Sequence, residues 1–144
     1  MEAHFYNVDV KWNSDRKGEM SSPELSQNIE VATPPQFPKG MENIWSPEHL
    51  FTAAVSSCLM TTFLAISENF KLDFVNFECS SKGKLEQIDG KFLMTEVILE
   101  PVVTIKNESE REKAEKVLQK SEANCLISNS VKSKITMISE IKLA

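Results

Sequence analysis

Glycine is scarce in this chain, at 4 of 144 residues. None of the four sits in a run of the kind that cradles phosphate, so a nucleotide-binding loop is excluded. Histidine is rarer still, only His4 and His49, and the three cysteines, Cys58, Cys79 and Cys125, include no Cys-x-x-Cys pair. Zinc needs closely spaced ligands, and no resident metal or cofactor is expected. Clustered basic residues are missing too. With a formal net charge of -5, the chain lacks the stripe of Lys and Arg that a nucleic-acid partner demands. The one lysine-rich stretch, Lys132 to Lys142, alternates with apolar residues and reads as the wet face of a strand. Three cysteines are too few for a secreted disulfide scaffold, and Met1 to Asp9 shows no basic segment followed by an apolar run, so no secretory signal is expected. These absences together predict a cytoplasmic protein whose thiols rest reduced.

What is present is 41% apolar residues in 144, enough for the core of one domain spanning 1–144. Tyr6, Val8, Val10 and Trp12 alternate with Asn7, Asp9 and Lys11, which predicts a half-buried strand. Asn13 to Gly18 reads as a turn, and Glu19 to Ala32 as one or two short strands. Thr33 to Asn43, with Pro34, Pro35, Pro38 and Gly40, reads as a surface loop of the kind that shapes sites. Ser46 is suited to cap a helix, Pro47 to its first position and Glu48 to its positive end, predicting a helix from about 47 to about 68. The charge-free run Leu50 to Ile66 is about as long as the shortest membrane spans, roughly 17 residues. It holds five Ser or Thr and no basic flanks, and a membrane span is not expected. Because its apolar residues fall on nearly every side, the helix is expected to be surrounded by protein, with a partner chain contributing cover.

Asp73 to Gln87 and Lys91 to Ile105 read as two strands of a hairpin turning at Ile88-Asp89-Gly90, with Pro101 marking a bulge or an edge. Asn107 to Asn124 reads as a charged helix with a thin stripe of Ala114, Val117 and Leu118. Val131, Ile135, Met137, Ile141 and Leu143 then form a last amphipathic strand. This order predicts an α+β fold with antiparallel sheets around a long buried central helix.

Cys58 lies in the middle of that helix. A cysteine there is ordinarily a small core residue, inert because burial raises its pKa. The helix dipole acts mainly on the first turn and does not reach it, so a reactive Cys58 calls for a cation from elsewhere. Arg16, on the turn after the first strand, is the candidate by type, because a guanidinium stays charged when buried and can hold a carboxylate and a thiolate together. Glu48 could orient it. Each also has a plain reading, as a solvated turn arginine and a first-turn acid. Cys79, on the Val75, Phe77, Cys79 face, reads as a core thiol, and His49 as a surface or interface residue. Trp45, Phe37 and Met41 are either pocket walls or loop anchors.

Ser46-Pro47-Glu48-His49-Leu50-Phe51, followed by Ala53-Ala54 and by Cys58 ten residues after the Glu, resembles the Asn-Pro-Glu-x-Leu-Phe/Leu-x-Ala-Ala…Cys pattern of the OsmC/Ohr proteins. Arg16 and Gly18, the Pro-rich loop, the hairpin and a second cysteine before a final strand extend the resemblance over nearly the whole chain. It implies an OsmC-like intertwined homodimer with its site at the subunit interface. It also implies a thiol peroxidase acting on organic or fatty-acid hydroperoxides and reduced by a dithiol, in some members lipoyl-linked. By position, Cys58 corresponds to the peroxidatic thiol, Cys125 to the resolving thiol, Arg16 to the activating cation and Glu48 to its orienting acid. Ten residues of straight helix rise about 15 Å. Glu48 and Cys58 of one chain therefore meet only across a sharp bend, or else the acid and its arginine come from the other subunit, giving two equivalent sites. Two departures stand out: Ser46 replaces Asn before Pro47, and Leu126 follows Cys125 where many members have Pro. A non-catalytic ligand-binding protein and a redox-sensing stress protein of the same fold are the alternatives.

Overall fold

Asp15 adopts a left-handed backbone, φ 48°, and the Trp12 indole N–H donates to its carbonyl at 3.1 Å, so strand β1 (Asp9–Ser14) reverses into β2 (Lys17–Ser21). A third strand, β3 (Ile29–Ala32), completes an antiparallel sheet in the order β1-β2-β3. This sheet belongs to the first of two compact units, residues 1–50 and 51–144, in a computed structural model that describes residues 1–144. The Pro-rich loop is pinned to β3. Ala32 N–H donates to the Trp45 carbonyl and Met41 N–H to the Thr33 carbonyl, both at 2.9 Å. The first strand differs from expectation, since it starts at Asp9 and lies uncovered, with Val10 70% and Trp12 72% exposed. Alternation in the sequence did create an apolar face, but nothing within the chain covers it.

Helix α1 (Pro47–Phe70) starts on a reciprocal cap. Ser46 Oγ accepts from His49 N–H at 3.1 Å, while Ser46 N–H and Oγ both lie against His49 Nδ1. This is a capping box with histidine in the place of the usual Glu or Gln. The helix ends on a left-handed Lys71, φ 53°, with Leu72 N–H donating to Ser67 O and Lys71 N–H to Glu68 O, the hydrogen-bond pair of a Schellman stop. Its burial is narrower than expected. One stripe, Val55, Leu59, Phe63 and Ser67 with Cys58 beside it, is buried, whereas Met60 and Leu64 are exposed. A single chain thus satisfies one face of a helix that is apolar on several. By length and composition α1 could cross a membrane, yet its buried stripe packs into the core of the second unit.

That core is built on strands β4 (Asn76–Ile88) and β5 (Lys91–Ile105), antiparallel and joined through Asp89 (φ 51°) and Gly90 (φ 79°), two consecutive left-handed residues that suit a tight hairpin. Helix α2 (Arg111–Asn124) follows a single 3₁₀ turn. The last strand is not single. It is split into β6 (Lys134–Met137) and β7 (Glu140–Leu143), each pairing parallel to β5. A helical crossover returns the chain in the same direction, so this sheet is mixed where antiparallel pairing was anticipated.

Pro101 causes no bulge in the β4–β5 ladder; the register shift there falls between Lys84 and Leu85. It occupies the interval on β5 between Leu99, where β6 pairing ends, and Val102, where β7 pairing begins. The Leu99 and Ile105 carbonyls accept from Ile138 and Ala144 N–H. Alternation therefore aims the proline nitrogen at the same flank, where the neighbouring strand is interrupted. Two apolar clusters fill the space beneath. Phe63, Leu72, Val103, Ile105, Ala114, Val117 and Leu118 form one, and Val55, Leu59, Val97 and Leu99 the other. The Phe63 ring stacks on Phe77 at 4.7 Å and meets Phe74 edge-on at 5.1 Å.

Candidate active site

Cys58 reaches the site from the buried stripe of α1, and Cys125 is the residue on which α2 stops. Its φ of -68° and ψ of 111° turn the chain out of the helix. The two thiols are neighbours although they stand 67 positions apart in sequence, and both are free. The Cys125 side chain lowers the Cys58 thiol and is itself raised by it.

The acidities of the two thiols are displaced in opposite directions. Burial pushes Cys58 up, but donation from Cys125, from the Ile127 N–H, from Thr62 and from the Leu126 N–H outweighs it, and Cys58 falls below the ordinary thiol value. Thr62 Oγ1 lies 3.9 Å from the sulfur, one helical turn along α1. Cys125 moves the other way. Burial pushes it up, the Ser128 hydroxyl and N–H oppose that, and donating its proton to Cys58 raises it further. Cys58 is 9% exposed and Cys125 0%, so both are buried and the more acidic thiol is the less completely covered. Chemically the pair combines a nucleophile with a protonated thiol beside it.

The backbone around Cys125 explains the donors. Asn129 N–H returns to the Cys125 carbonyl and Ser130 N–H to the Ile127 carbonyl, both at 3.0 Å, and Ser130 Oγ donates to the Leu126 carbonyl at 2.7 Å. The amides of Leu126, Ile127 and Ser128 donate to no backbone carbonyl; the first two lower the Cys58 thiol and the third lowers Cys125. Sequence reasoning looked for a cation and missed these donors. A threonine four residues after Cys58 was a legible signal, because such positions share a helix face. Amides in a turn leave no mark in the residue types.

Arg16 and Glu48 belong to the first unit. Together with Val10, Trp12, Val31 and Phe37 they line a groove of about 610 Å³, apolar along its walls and carrying one cation and one carboxylate. Arg16 is exposed and Glu48 half-buried. Phe37 lines this groove, Met41 borders a smaller depression with Asp15, Arg16 and Lys39, and Trp45 stands edge-on to the His49 ring at 6.1 Å. His49 itself serves the helix cap. Cys79 packs on the second apolar cluster. Its thiol is raised by burial, lowered in part by the Glu100 N–H and raised again by the Glu100 carboxylate, and its S–H donates to the Ser80 carbonyl at 3.6 Å. No group of His, Cys, Asp and Glu is arranged to hold a metal ion.

Residues 40–140 match the sequence model of the family described as OsmC-like protein. Protein YmaD of Bacillus subtilis is 22% identical over 95% of this chain and 93% of its own. Among solved structures, an OsmC-like protein of unknown function from Vibrio cholerae superposes with a TM-score of 0.85 at 24% identity, over 95% of this chain and 99% of that one. The organic hydroperoxide resistance protein OsmC of Legionella pneumophila gives 0.76 at 20% identity, over 97% and 99%. The organic hydroperoxide resistance protein OhrB of Bacillus subtilis gives 0.68 at 19% identity, over 96% and 98%. At these identities the superpositions establish the fold.

Proposed function

Because the chain belongs to the OsmC-like family, we propose that it is a soluble, cytoplasmic, thiol-dependent peroxidase that reduces organic hydroperoxides, its two units acting as one OsmC-like domain. The observation that carries this reading is the contact of two free thiols with opposed acidities, Cys58 lowered and Cys125 raised. Names of structural neighbours that refer to organic hydroperoxide resistance point the same way.

In the proposed cycle the Cys58 thiolate attacks the distal peroxide oxygen. The O–O bond breaks, its electron pair leaves on the alkoxide, and the alkoxide takes a proton to depart as an alcohol. Cys58 is left as a sulfenic acid. The Cys125 sulfur then attacks the Cys58 sulfur and displaces the hydroxyl, which leaves as water with the Cys125 proton, and a disulfide closes. An external dithiol reopens it by exchange, taking the two oxidising equivalents with it. Arg16 and Glu48 supply the apolar groove with charge. In this reading Arg16 and Glu48 serve the Cys58 of a second copy of the chain, and the ten-residue spacing of Glu48 and Cys58 along α1 supports that choice. The uncovered Val10 and Trp12 face of β1 and the exposed Met60 and Leu64 of α1 are the surfaces such a copy would cover.

The test is thiol titration against cumene hydroperoxide. The parent protein should lose two thiols per chain and regain them with dihydrolipoamide or dithiothreitol, while Cys58→Ser should leave peroxide unconsumed. Equal peroxide consumption by parent and Cys58→Ser would refute the reading.

A further inference from the structure

We propose that the Thr62 hydroxyl is a catalytic group of this site, the hydrogen-bond donor that meets the Cys58 sulfur when its proton leaves. The inference deepens the peroxidase reading and rests on it for its catalytic meaning. Serine and threonine hydroxyls inside a helix commonly fold back on a carbonyl of the preceding turn. Ser56 does so to the Ala53 carbonyl at 3.3 Å, Ser57 to Ala54 at 3.4 Å and Thr61 to Cys58 at 3.1 Å. Thr62 departs from these neighbours. Its Oγ1 lies 3.9 Å from Cys58 Sγ and is spent on no carbonyl. The two residues stand four apart on α1, the spacing at which side chains meet along one helix face.

The direction of this contact depends on the charge of the sulfur. Between a thiol and a hydroxyl either atom can donate, and sulfur is weak in both roles. A thiolate has no hydrogen left to give, so the hydroxyl alone donates, and hydrogen bonds to a charged acceptor are roughly twice as strong as neutral ones. The gain therefore falls on the ionised sulfur. A separation of 3.9 Å is of the loose kind that tightens as charge develops at a reacting atom. Thr62 is half-buried, and valine shares its branching at Cβ. Thr62→Val thus removes the hydroxyl and little else, while Thr62→Ser keeps the donor and drops the methyl.

The experiment measures the rate of Cys58 alkylation by iodoacetamide against pH in fully reduced protein carrying Cys79→Ser, with Cys58 told apart from Cys125 by peptide mass and no peroxide present. Thr62→Val should move the profile to higher pH, slowing alkylation at neutral pH roughly three- to tenfold and rejoining the parent once Cys58 is ionised in both. Thr62→Ser should follow the parent, as should Thr61→Val, which removes the neighbouring hydroxyl bound to a carbonyl. In parallel, the Thr62 Cβ resonance of the parent should move with the Cys58 titration and stay still over that range in Cys58→Ser. That measurement stands even if Thr62→Val fails to fold. Coincident profiles for Thr62→Val and parent, slowing by one factor at every pH, an equal shift in Thr62→Ser or Thr61→Val, or a Thr62 signal indifferent to Cys58 would overturn the proposal. Since none of these readouts uses a peroxide, a protein inert to cumene hydroperoxide but showing the Thr62→Val shift would sink the peroxidase reading and leave the donor standing.

Discussion

Gly83 stands on β4 opposite Val97, where α1 comes so close that a Cβ would lie 2.0 Å from Thr52 Oγ1, 2.7 Å from Met94 Cε and 3.3 Å from Thr52 Cβ. Gly83→Ala therefore tests how tightly α1 is seated. The Met94 methyl ends a flexible side chain and can swing away at little cost. Thr52 is β-branched and has few helical rotamers, so it must either leave its rotamer, at about 0.5–1.5 kcal/mol, or lift the helix. Overpacking of this kind costs about 1–3 kcal/mol, and alanine recovers about 0.5–1 kcal/mol of strand entropy relative to glycine. The net expectation is a loss of about 1–2 kcal/mol, read as a lower urea midpoint at unchanged m. In a Thr52→Ala background the obstructing oxygen is gone, and Gly83→Ala should be neutral or slightly stabilising. The cycle should thus return a coupling of about 1–2 kcal/mol. Because Cys58 lies six residues along the same helix, a lifted α1 should also slow Cys58–Cys125 disulfide closure in the single variant. Equal losses in both backgrounds, or a Gly83→Ala protein as stable as its parent, would refute the close-packed seat.

The opposed acidities of the two thiols make the reduced protein's stability depend on pH in both directions. The contribution of Cys58, whose folded pKa is lowered, is present above the ordinary thiol value of 9.0 and is lost as pH falls through its folded pKa. That of Cys125, whose folded pKa is raised, is present below 9.0 and is lost as pH rises through its folded pKa. Urea midpoints should climb toward pH 9.0 and decline beyond it, with Cys58→Ser removing the climb. At the helix cap, Ser46→Ala should cost about 1 kcal/mol in the same assay, whereas Ser46→Asn, another good cap, should stay within a few tenths.

The elements were readable because their signals are local. Ser46-Pro47-Glu48 marks a helix start, Asp89-Gly90 a hairpin, and the 3.6-residue and 2-residue periods give α2 and β4–β5. Residues 131–143 misled because a continuous alternation says nothing about an interruption imposed by Pro101 on another strand. The uncovered face of β1 differs for a related reason, as apolar patterning reports that a face wants cover and not which molecule supplies it. At the site, residue type and family likeness singled out Cys58 and Cys125. Half of the groups that lower the two thiols are main-chain amides, identical in every residue but proline and so without a mark in the residue types. His49 reads as a surface residue by type, and its capping role depends on an imidazole standing in for a carboxylate or amide, a substitution outside the usual pattern.

The notch at Pro101 has one more effect. Were residues 134–143 to zip along β5 as one uninterrupted ribbon, or to slide by two positions, a carbonyl would be brought face to face with an imino nitrogen that has no hydrogen to give. Only the arrangement with a break beside that nitrogen leaves no acceptor facing it. Proline thus serves as an index pin for the carboxy-terminal tail, disfavouring misaligned pairings of its two short strands.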